Sequence, residues 1–406
     1  MMKQFLSELR QFMSSDRIYT DELRTLGWGT DASFYRQIPK VVLRSDGEEE
    51  ISKIVRLCQK YKLPFTFRAA GTSLSGQSCT DSVLIVAGKH WEKYQLMRNE
   101  ELGMRNDDYT QGEKADSKGN QHSSSLISHS SFNIKLQPGI VGARVNEILK
   151  PYGRVFPPDP ASIGSAMVGG IVINNASGMN CGVHANSDRM MVSAKIILTD
   201  GTVLDTGSEE SREAFRKSHP EFLKKIEDLR DKVRADKELA ERIARKYSIK
   251  NVTGLNLRPL IAYDDPFDII AHSMVGSEGT LAFLSEVTMK TLKDYPYKAS
   301  AMVYFLTMKE SCEAVVAMKK LKAGEEDLEM SAEQLMVKSA EMLDYKSLSS
   351  VDDPVYLQYQ KDVDAGKIAG VEPGDYHNLT AILTETKGIT HKQLLDKIEA
   401  IKKCLG

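Results

Sequence analysis

The segment RAAGTSLSGQ at residues 68–77 follows the strand-like PFTF and combines glycines, hydroxyl side chains and one arginine. Backbone amides in glycine-containing turns form concave nests that bind phosphate oxygens, because glycine accepts positive φ and lets a ligand approach the main chain. Hydroxyl groups at Thr72, Ser73 and Ser75 add further donors. Arg68 adds positive charge. The segment therefore predicts a loop that binds an anion.

Two familiar phosphate-binding loops do not match this segment. A Walker loop needs GxxxxGK[ST], and that string is absent from the sequence. A Rossmann fingerprint needs GxGxxG at the start of a crossover helix, whereas the stretch between PFTF and SVLIV has no helical period. The loop therefore joins strand to strand and binds its anion without a helix dipole. A weaker match, GIVGARV at 139–145, favours a glycine turn entering a packed helix over a dinucleotide site.

A second glycine-rich segment, YGRVFPPDPASIGSAMVGGIVINNASGMNCGVH, occupies residues 152–184. Its prolines stiffen an approach loop. Glycines at 164, 169, 170 and 178 alternate with small residues, so the backbone could lie close against a large flat ligand. The pattern fits a glycine-rich turn followed by a short buried helix equally well.

A third segment, VGSEGTLAFLSEVTMK at 275–290, places Gly276 and Gly279 on either side of Ser277 and Glu278. A strand-like pattern follows directly. Taken alone, this segment predicts a turn more readily than a ligand site. It is more specific when it is considered together with the two earlier segments.

Alternating strands and helices must position these segments. Strands are predicted at 40–45, 64–67, 82–88, 132–139 and 284–292, with a hairpin over 194–207 that turns at Asp200–Gly201. Helices are predicted after the first strand, where Ser45 and Glu48 suggest a capping box, over 141–153 and across the charged stretch 209–249. Residues 100–131 are polar and nearly patternless, which indicates a flexible or hairpin-like surface excursion.

The pattern restarts near residue 296. Strands at 300–308 and 380–386 each precede a helix, and EDLEMSAEQL at 326–335 indicates a strand leading into a helix. A sheet of this alternating type normally includes a further strand to cover the last helix. We therefore expect the chain to be C-terminally truncated.

Composition excludes several functional classes. Of the 406 residues, 41% are hydrophobic and 27% charged, as in ordinary globular proteins, and the net charge of −2 does not favour nucleic acid as a partner. No apolar run reaches the ~18–20 residues that a transmembrane helix needs. The five cysteines form no CxxC pair and the histidines are scattered, so we predict no iron–sulfur cluster and no metal site. These features suggest a cytoplasmic protein and leave peripheral membrane association open.

Taken together and in order, the motifs resemble those of FAD-binding oxidoreductases of the vanillyl-alcohol oxidase / p-cresol methylhydroxylase type. Within that group the chain resembles the branch that contains D-lactate dehydrogenase, glycolate oxidase and D-2-hydroxyglutarate dehydrogenase. The matching elements are PKVV at 39–42, RxxGTSLSG at 68–76, QPG at 137–139, FPPDP at 156–160, GGxxxxNASG at 169–178, TDG at 199–201 and GSEGTL at 276–281. The resemblance is strong over 35–295 and looser over 296–406.

The resemblance implies an α+β fold with a two-lobed FAD-binding domain and a partial ferredoxin-like cap domain. The first lobe would span 1–150, the second 151–295 and the cap 296–406. FAD would lie between the lobes. The cap would help to bind the substrate.

The resemblance also implies which residues contact FAD. Around the pyrophosphate these are Arg68, Ala70, Gly71, Thr72, Ser73, Leu74 and Ser75. Along the flavin and its ribityl-phosphate arm they are Pro158, Ser162, Ile163, Gly164, Gly169, Gly170, Ser177 and Gly178, and near the adenosine or ribityl side Glu278 and Gly279. Many relatives have glycine where this chain has Ala69 and Ala70.

Non-covalent FAD is expected, because Thr72 and Ser73 stand where relatives with covalently linked flavin carry histidine or cysteine. Cys181 and His184 lie near enough in sequence to leave a covalent link open. The resemblance implies hydride transfer from a 2-hydroxy acid to flavin, with D-lactate the first substrate to test and glycolate or D-2-hydroxyglutarate as alternatives. The electron acceptor is undetermined; an iron–sulfur segment or subunit outside this chain is one candidate.

The catalytic residues cannot be assigned from the sequence. Arg258 is a candidate for binding the substrate carboxylate, but pairing with Asp264 or Asp265 is the more ordinary expectation. His272 is expected on a structural helix. Two alternative functions stay open: a flavin-binding module inactive without a partner or a missing half, and alkyl transfer as in the ether-lipid synthase branch, which shares an ASGM-like stretch.

Overall fold

A computed structural model describes residues 1–98, 132–182, 184–322 and 336–406. These residues form two compact units, Met1–Leu292 and Lys293–Gly406. The predicted lobes 1–150 and 151–295 stay a prediction. So does the ferredoxin-like character of the cap.

The strands of the first unit are β1 (Ile18–Tyr19), β2 (Val41–Arg44), β3 (Phe65–Arg68), β4 (Val83–Val86), β5 (Tyr94–Arg98), β6 (Phe132–Leu136), β7 (Arg154–Val155), β8 (Met191–Ile197), β9 (Val203–Asp205) and β10 (Phe283–Lys290). Its helices are α1 (Met2–Leu9), α2 (Glu22–Gly27), α3 (Glu48–Lys60), α4 (Gly142–Leu149), α5 (Val168–Ile173), α6 (Ser187–Met190), α7 (Glu209–Ser218), α8 (Pro220–Ala235), α9 (Lys237–Lys246), α10 (Pro259–Ala262) and α11 (Pro266–Ser273). The predicted strands, the hairpin and the helical character of 209–249 are thereby confirmed.

A four-stranded sheet of order β1-β2-β4-β3 carries the first glycine segment. Strands β2, β4 and β3 are parallel, and β1 is antiparallel to β2. All four residues of β4 are buried, as expected for a strand covered on both faces. The segment 69–82 leaves the carboxyl end of β3, the edge of a parallel sheet at which ligands usually bind.

Helix α3 packs an apolar face that includes Ile51, Ile54 and Cys58, all buried. The predicted capping box is wrong. The helix begins after Gly47, whose φ is +94°, and the Ser45 hydroxyl instead donates to the carbonyl oxygen of Val86 at 2.9 Å. Three glutamates in the first turn complement the positive end of the helix dipole.

A five-stranded antiparallel sheet of order β5-β6-β10-β8-β9 forms the second layer. Its central strand β10 is buried along its whole length except at Lys290. The β8–β9 hairpin turns at Asp200–Gly201 as predicted, and Gly201 has φ +79°. Arg56 fastens this turn to α3 by donating to the carbonyl oxygens of Asp200 and Gly201 at 2.7 and 3.1 Å.

The second unit has the strands β12 (Tyr297–Phe305), β13 (Ser339–Leu343) and β14 (Thr380–Gly388), after β11 (Leu292–Lys293) at the boundary between the units, and the helices α12 (Met308–Lys320), α13 (Tyr345–Ser350), α14 (Pro354–Asp364) and α15 (His391–Leu405). The sheet is antiparallel with β14 in the centre. Consecutive residues Ala381 and Ile382 belong to different core clusters, so β14 buries both of its faces.

The strand and helix predicted at 326–335 and the excursion predicted at 100–131 lie outside the described residues. Strand β13 was missed because its residues alternate poorly between apolar and polar types. Within the described ranges, no helix combines the length and apolarity required to cross a bilayer.

Candidate functional site

A cavity of about 530 Å³ lies within the first unit, inside the size range of ordinary small-molecule sites. The segment after β3 forms one wall, and we call residues 68–77 the anion loop. Helix α5 and the residues on either side of it form the opposite wall. Glu278 and Gly279 of the turn Gly276–Gly279, and the start of β10, also contribute to the lining. The three glycine-containing segments of the sequence therefore meet at one site.

The anion loop presents free main-chain donors. Within the described part of the chain, no group accepts a hydrogen bond from the amides of residues 70–74. Gly71 and Gly76 have φ of +71° and +76°, the left-handed geometry that turns successive amides toward a common point. Such a nest fits the oxygens of a phosphate or pyrophosphate.

Arg68 braces this loop. Its Nη1 donates to the carbonyl oxygens of Trp28 and Thr30 at 3.1 and 2.7 Å, and its guanidinium lies 5.1 Å from the centre of the Trp28 ring. A Cβ on Gly71 would lie 2.6 Å from Nη2 of this arginine. Burial lowers the pKa of Arg68. Since Nη1 is committed to main-chain carbonyls, Arg68 supports the loop as well as lining the cavity.

The segment before β2 also supports the anion loop. This support could not be predicted from the sequence. The Ala32 amide donates to the Gly71 carbonyl oxygen at 2.9 Å, and the Ser78 hydroxyl donates to Asp31 at 3.0 Å. The ring of Tyr35 covers Gly76 so closely that a Cβ there would lie 2.7 Å from it. Residues 28–36 thus hold the loop from the outside.

Helix α5 brings its two glycines to different surroundings. A Cβ on Gly169 would lie 2.6 Å from the Cβ of Pro138, so Gly169 permits close packing beneath the helix. The nearest atom to a Cβ on Gly170 would be Ala69 Cβ at 3.9 Å. Gly170 therefore leaves the cavity open between α5 and Ala69, the second residue of the anion loop.

The turn Gly276–Gly279 fixes the end of α5. The amides of Gly276 and Glu278 both donate to the Ile173 carbonyl oxygen, at 2.8 and 3.0 Å. Glu278 has φ of +54°, which is rare for a residue with a side chain. Strained backbone of this kind persists where the surroundings enforce it, often at ligand sites. The segment is therefore a turn and also a part of the cavity wall.

The structure brings most of the predicted FAD contacts to this cavity. Those that line it are Arg68, Ala70, Gly71, Thr72, Ser73, Leu74, Ser75, Ser162, Gly169, Gly170, Ser177, Glu278 and Gly279. Those outside its lining are Pro158, Ile163, Gly164 and Gly178. Contact of any of these residues with FAD remains a prediction.

Of the four residues outside the lining, Gly178 and Ile163 lie at contacts between main-chain segments. A Cβ on Gly178 would lie 1.6 Å from the carbonyl oxygen of Asp159, so two main-chain segments touch there. The Ile163 carbonyl oxygen accepts from the Ala143 amide at 2.9 Å. No heavy atom lies within 4 Å of a Cβ built on Gly164.

Several lining residues were missed by sequence reasoning. They include Pro138, Pro160, Asn174, Val252, Thr253, Gly254, Ala282 and Phe283. Pro138 and Pro160 belong to the quoted QPG and FPPDP strings, so the motifs offered a signal for them. Nothing local marks Val252–Gly254, which follow the charged helices; the fold alone brings them to the site.

Arg258, which follows Gly254 by four positions, belongs to a charged cluster with Asp188 and Arg189, of which Asp188 is buried and the two arginines are partly buried. Asp188 lies 3.7 Å from Arg189 Nε and 3.8 Å from Arg258 Nη1. The expected pairing of Arg258 with Asp264 or Asp265 is therefore wrong: Asp264 pairs with Arg234, and Asp265 with Arg212. Burial raises the pKa of Asp188, although the two arginines oppose that shift.

His272 lies on helix α11, as expected, and packs against the same cluster. Its Nδ1 is 3.1 Å from the Asp188 carbonyl oxygen, and its ring stacks on Tyr263 at 4.2 Å. Burial lowers the pKa of His272 to about 4. The imidazole is therefore neutral near pH 7 and holds α6, which carries Asp188, against α11.

Cys181 and His184 are the two side chains for which the sequence left a covalent link to the flavin open. Cys181 is buried; its Sγ accepts from the Asp159 amide at 3.1 Å and donates to the Pro157 carbonyl oxygen at 3.5 Å. It does not line the cavity, and neither does His184. Non-covalent binding stays a prediction.

A family model matches part of this chain. Residues 39–101 and 121–207 match the family described as FAD binding domain. The anion loop, the QPG and FPPDP strings and helix α5 all fall within the matched ranges. The free amides of the loop and the open cavity wall suit the pyrophosphate and the flat ring of such a cofactor.

Curated relatives are oxidoreductases of hydroxy acids. The chain is 22% identical over 303 residues to a D-2-hydroxyglutarate dehydrogenase of Haemophilus influenzae, covering 71% of this chain and 26% of that protein. It is 23% identical over 325 residues to a mitochondrial D-lactate dehydrogenase [cytochrome] of Arabidopsis thaliana, covering 78% and 41%. The chain thus spans about a quarter to two fifths of these relatives.

Solved structures show the fold. An alkyldihydroxyacetonephosphate synthase superposes with a TM-score of 0.60 at 15% identity, covering 99% of this chain and 59% of that one. A p-cresol methylhydroxylase superposes with a TM-score of 0.58 at 11% identity, covering 99% and 64%. The predicted mixed helix-and-sheet fold of the p-cresol methylhydroxylase type is confirmed.

Proposed function

Because the chain contains an FAD-binding domain related to 2-hydroxyacid dehydrogenases, we propose that it oxidises a 2-hydroxy acid, with D-lactate the first substrate to test. Bound FAD would accept the hydride equivalent from the hydroxyl-bearing carbon. Glycolate and D-2-hydroxyglutarate are the alternatives suggested by the names of the relatives. The electron acceptor is not assigned.

The observation that carries the proposal is the set of unpaired amides at residues 70–74, which face a cavity whose opposite wall contains Gly170. These amides would hold the pyrophosphate, with the hydroxyl groups of Thr72 and Ser73 beside them. Gly169, Gly170 and Ser177 would lie along the flavin. The protein would therefore bind and orient the cofactor largely through its main chain.

The cofactor claim is tested by the visible spectrum of the purified chain, incubated with FAD and freed of excess. Flavin bands are expected, and acid precipitation should release them into the supernatant if FAD is not covalently bound. If no flavin bands appear after incubation, the protein does not bind FAD and the proposed function is wrong. Bands that stay with the precipitate would overturn non-covalent binding alone.

The oxidation claim is tested by adding D-lactate to the FAD-loaded chain without oxygen, with L-lactate as the matched control. Bleaching by D-lactate and not by L-lactate is expected. Glycolate and D-2-hydroxyglutarate are added in parallel to identify the substrate. Bands that persist with all of these hydroxy acids would contradict the oxidation and favour a flavin-binding module that needs another protein segment.

A further inference from the structure

Strand β12 in the second unit is the longest edge strand in the described part of the chain, with nine residues. The other strands at sheet edges are shorter. Strands β1, β7 and β11 have two residues each, β9 has three, β3 has four, and β5 and β13 have five each. A long edge strand presents a long row of main-chain N–H and C=O groups, which can pair with a further strand.

Only one side of β12 is used within its own sheet. All nine residues pair in antiparallel register with β14, without a register shift. Among the strands that the structure describes, none pairs with the other side. Natural edge strands are commonly protected by proline, a bulge or charged side chains. Strand β12 has no proline, and its single charged residue, Lys298, pairs with Asp294 at 3.4 Å near the start of the strand. The edge is therefore accessible for pairing.

The side chains along this edge are exposed and mostly uncharged. Ala301, the central residue of the strand, is exposed. Tyr297 and Met302 are 41% and 39% exposed, and Leu306 and Met308, which follow the strand, are 49% and 56% exposed. Contiguous exposed apolar surface of this kind marks an interaction site more often than ordinary surface does. A strand added beside β12 would cover part of it.

We propose that β12 pairs with β12 of a second copy of this chain, antiparallel and with a two-fold axis at Ala301. An axis at the central residue uses all nine residues, and such a pair forms about eight to ten main-chain hydrogen bonds. The two three-stranded sheets would then join into one sheet of six strands. Because a two-fold contact is self-complementary, it leaves no free β12 edge for further copies. The pairing is independent of FAD and of the proposed oxidation.

The sequence of β12 is complementary to its own reverse in this register. Residues at equal distances from Ala301 face each other across the axis, so Tyr297 would lie opposite Phe305 and Lys298 opposite Tyr304. Aromatic pairs and contacts between a cation and an aromatic ring both stabilise neighbouring strands. The two lysines of the dimer would lie near opposite ends of the strand pair. No like charges therefore face each other.

The test is sedimentation equilibrium of the full chain over a wide range of protein concentration, where the wild-type chain should form a dimer. Ala301→Lys places two like charges directly opposite each other at the axis, so the dissociation constant of the dimer should rise roughly tenfold. Ala340→Lys is the matched control. Ala340 is also exposed and pairs with Thr384, the same β14 residue that Ala301 faces, but from the β13 side. Its substitution should leave the dissociation constant unchanged.

A mixture of Ala301→Lys and Ala301→Glu chains tests the axis itself. Each variant alone should dimerise more weakly, whereas the mixture should form a heterodimer at least as tight as the wild-type dimer, because opposite charges then face each other. A wild-type chain that stays monomeric at every concentration would overturn the proposal. So would a dimer that neither Ala301 variant weakens, or one that Ala340→Lys weakens instead. If Ala301→Lys fails to fold, the effect of Ala301→Glu alone still decides.

Discussion

The two walls of the cavity use glycine for different physical reasons. In the anion loop, Gly71 and Gly76 have positive φ, a backbone geometry that suits an anion-binding nest. Gly169 on the opposite wall, and Gly178, which follows the lining residue Ser177, have no such φ. Glycine is needed at both positions because other atoms lie where a Cβ would be. One wall depends on conformation and the other on close packing.

Because of this difference, substitutions in the anion loop should mainly affect ligand binding, whereas a substitution at Gly178 should mainly affect folding. A side chain in the anion loop would disturb the geometry of the amides while most of the core stays packed. A side chain at Gly178 would push apart two main-chain segments that support the second wall. The sequence shows the same residue type in both places, so substitutions are needed to test the distinction.

The largest effect is expected for Gly178→Ala. Its methyl group would lie 1.6 Å from the Asp159 carbonyl oxygen, and a main-chain atom cannot move aside as a flexible side chain does. We expect the free energy of unfolding to fall by about 3 kcal/mol or more. Urea unfolding followed by circular dichroism measures this change.

Gly182→Ala is the matched control, since nothing lies within 4 Å of its Cβ position, although its φ of +53° makes a small loss of stability expected there. A Gly178→Ala protein as stable as wild type would show that the two segments separate readily. The close-packing description of the second wall would then be wrong.

The contact between α6 and α11 should also respond to acid, through His272. Its pKa is about 4 in the folded protein against about 6.5 when unfolded, so the unfolded chain binds the proton more readily. Stability contributed by the neutral ring is complete above pH 6.5 and declines as pH falls toward 4, by up to about 3 kcal/mol. His272→Gln should lose less stability than wild type over this interval in urea unfolding, and identical pH profiles would contradict the buried neutral histidine.

Gly71→Ala tests the anion loop and should have a smaller effect on folding. An L-residue in the left-handed region costs about 1–2 kcal/mol, and the Arg68 guanidinium must also move away from the methyl group. We expect the alanine variant to relax away from the left-handed geometry in the free protein. Because FAD binding must then restore that geometry at this energetic cost, FAD affinity should fall roughly tenfold. The measurement is the amount of flavin that stays with the protein after gel filtration, compared between wild-type and variant samples that have the same circular dichroism spectrum.

Gly153→Ala has the same conformational penalty, with φ of +61°, but lies outside the cavity. It should therefore lose stability without losing FAD. Equal loss of FAD in both variants would show that general destabilisation, and not loop geometry, controls cofactor retention.

Much of the fold could be predicted from the sequence because local patterns determine it. The strands around the anion loop and the hairpin at Asp200–Gly201 have clear alternation or turn residues. Pairings between distant residues left no local signal. Arg258 has two aspartates nearby in sequence but, just before α10, pairs with Asp188 on α6, and Ser45 bonds to Val86 on a neighbouring strand in place of capping α3.

The smallest effect is expected for Gly164→Ala, which tests a place where sequence and structure differ. The resemblance places Gly164 against the flavin, whereas the structure leaves it outside the cavity lining with no heavy atom within 4 Å of its Cβ position. Its φ is outside the left-handed region, so alanine should be neutral or should stabilise the fold by about 0.4–1 kcal/mol through lower entropy of the unfolded chain. FAD retention should equal that of wild type, in contrast to Gly71→Ala. Reduced retention with unchanged stability would show that Gly164 contacts the bound cofactor, and the second wall would then bind its ligand through glycine as directly as the first.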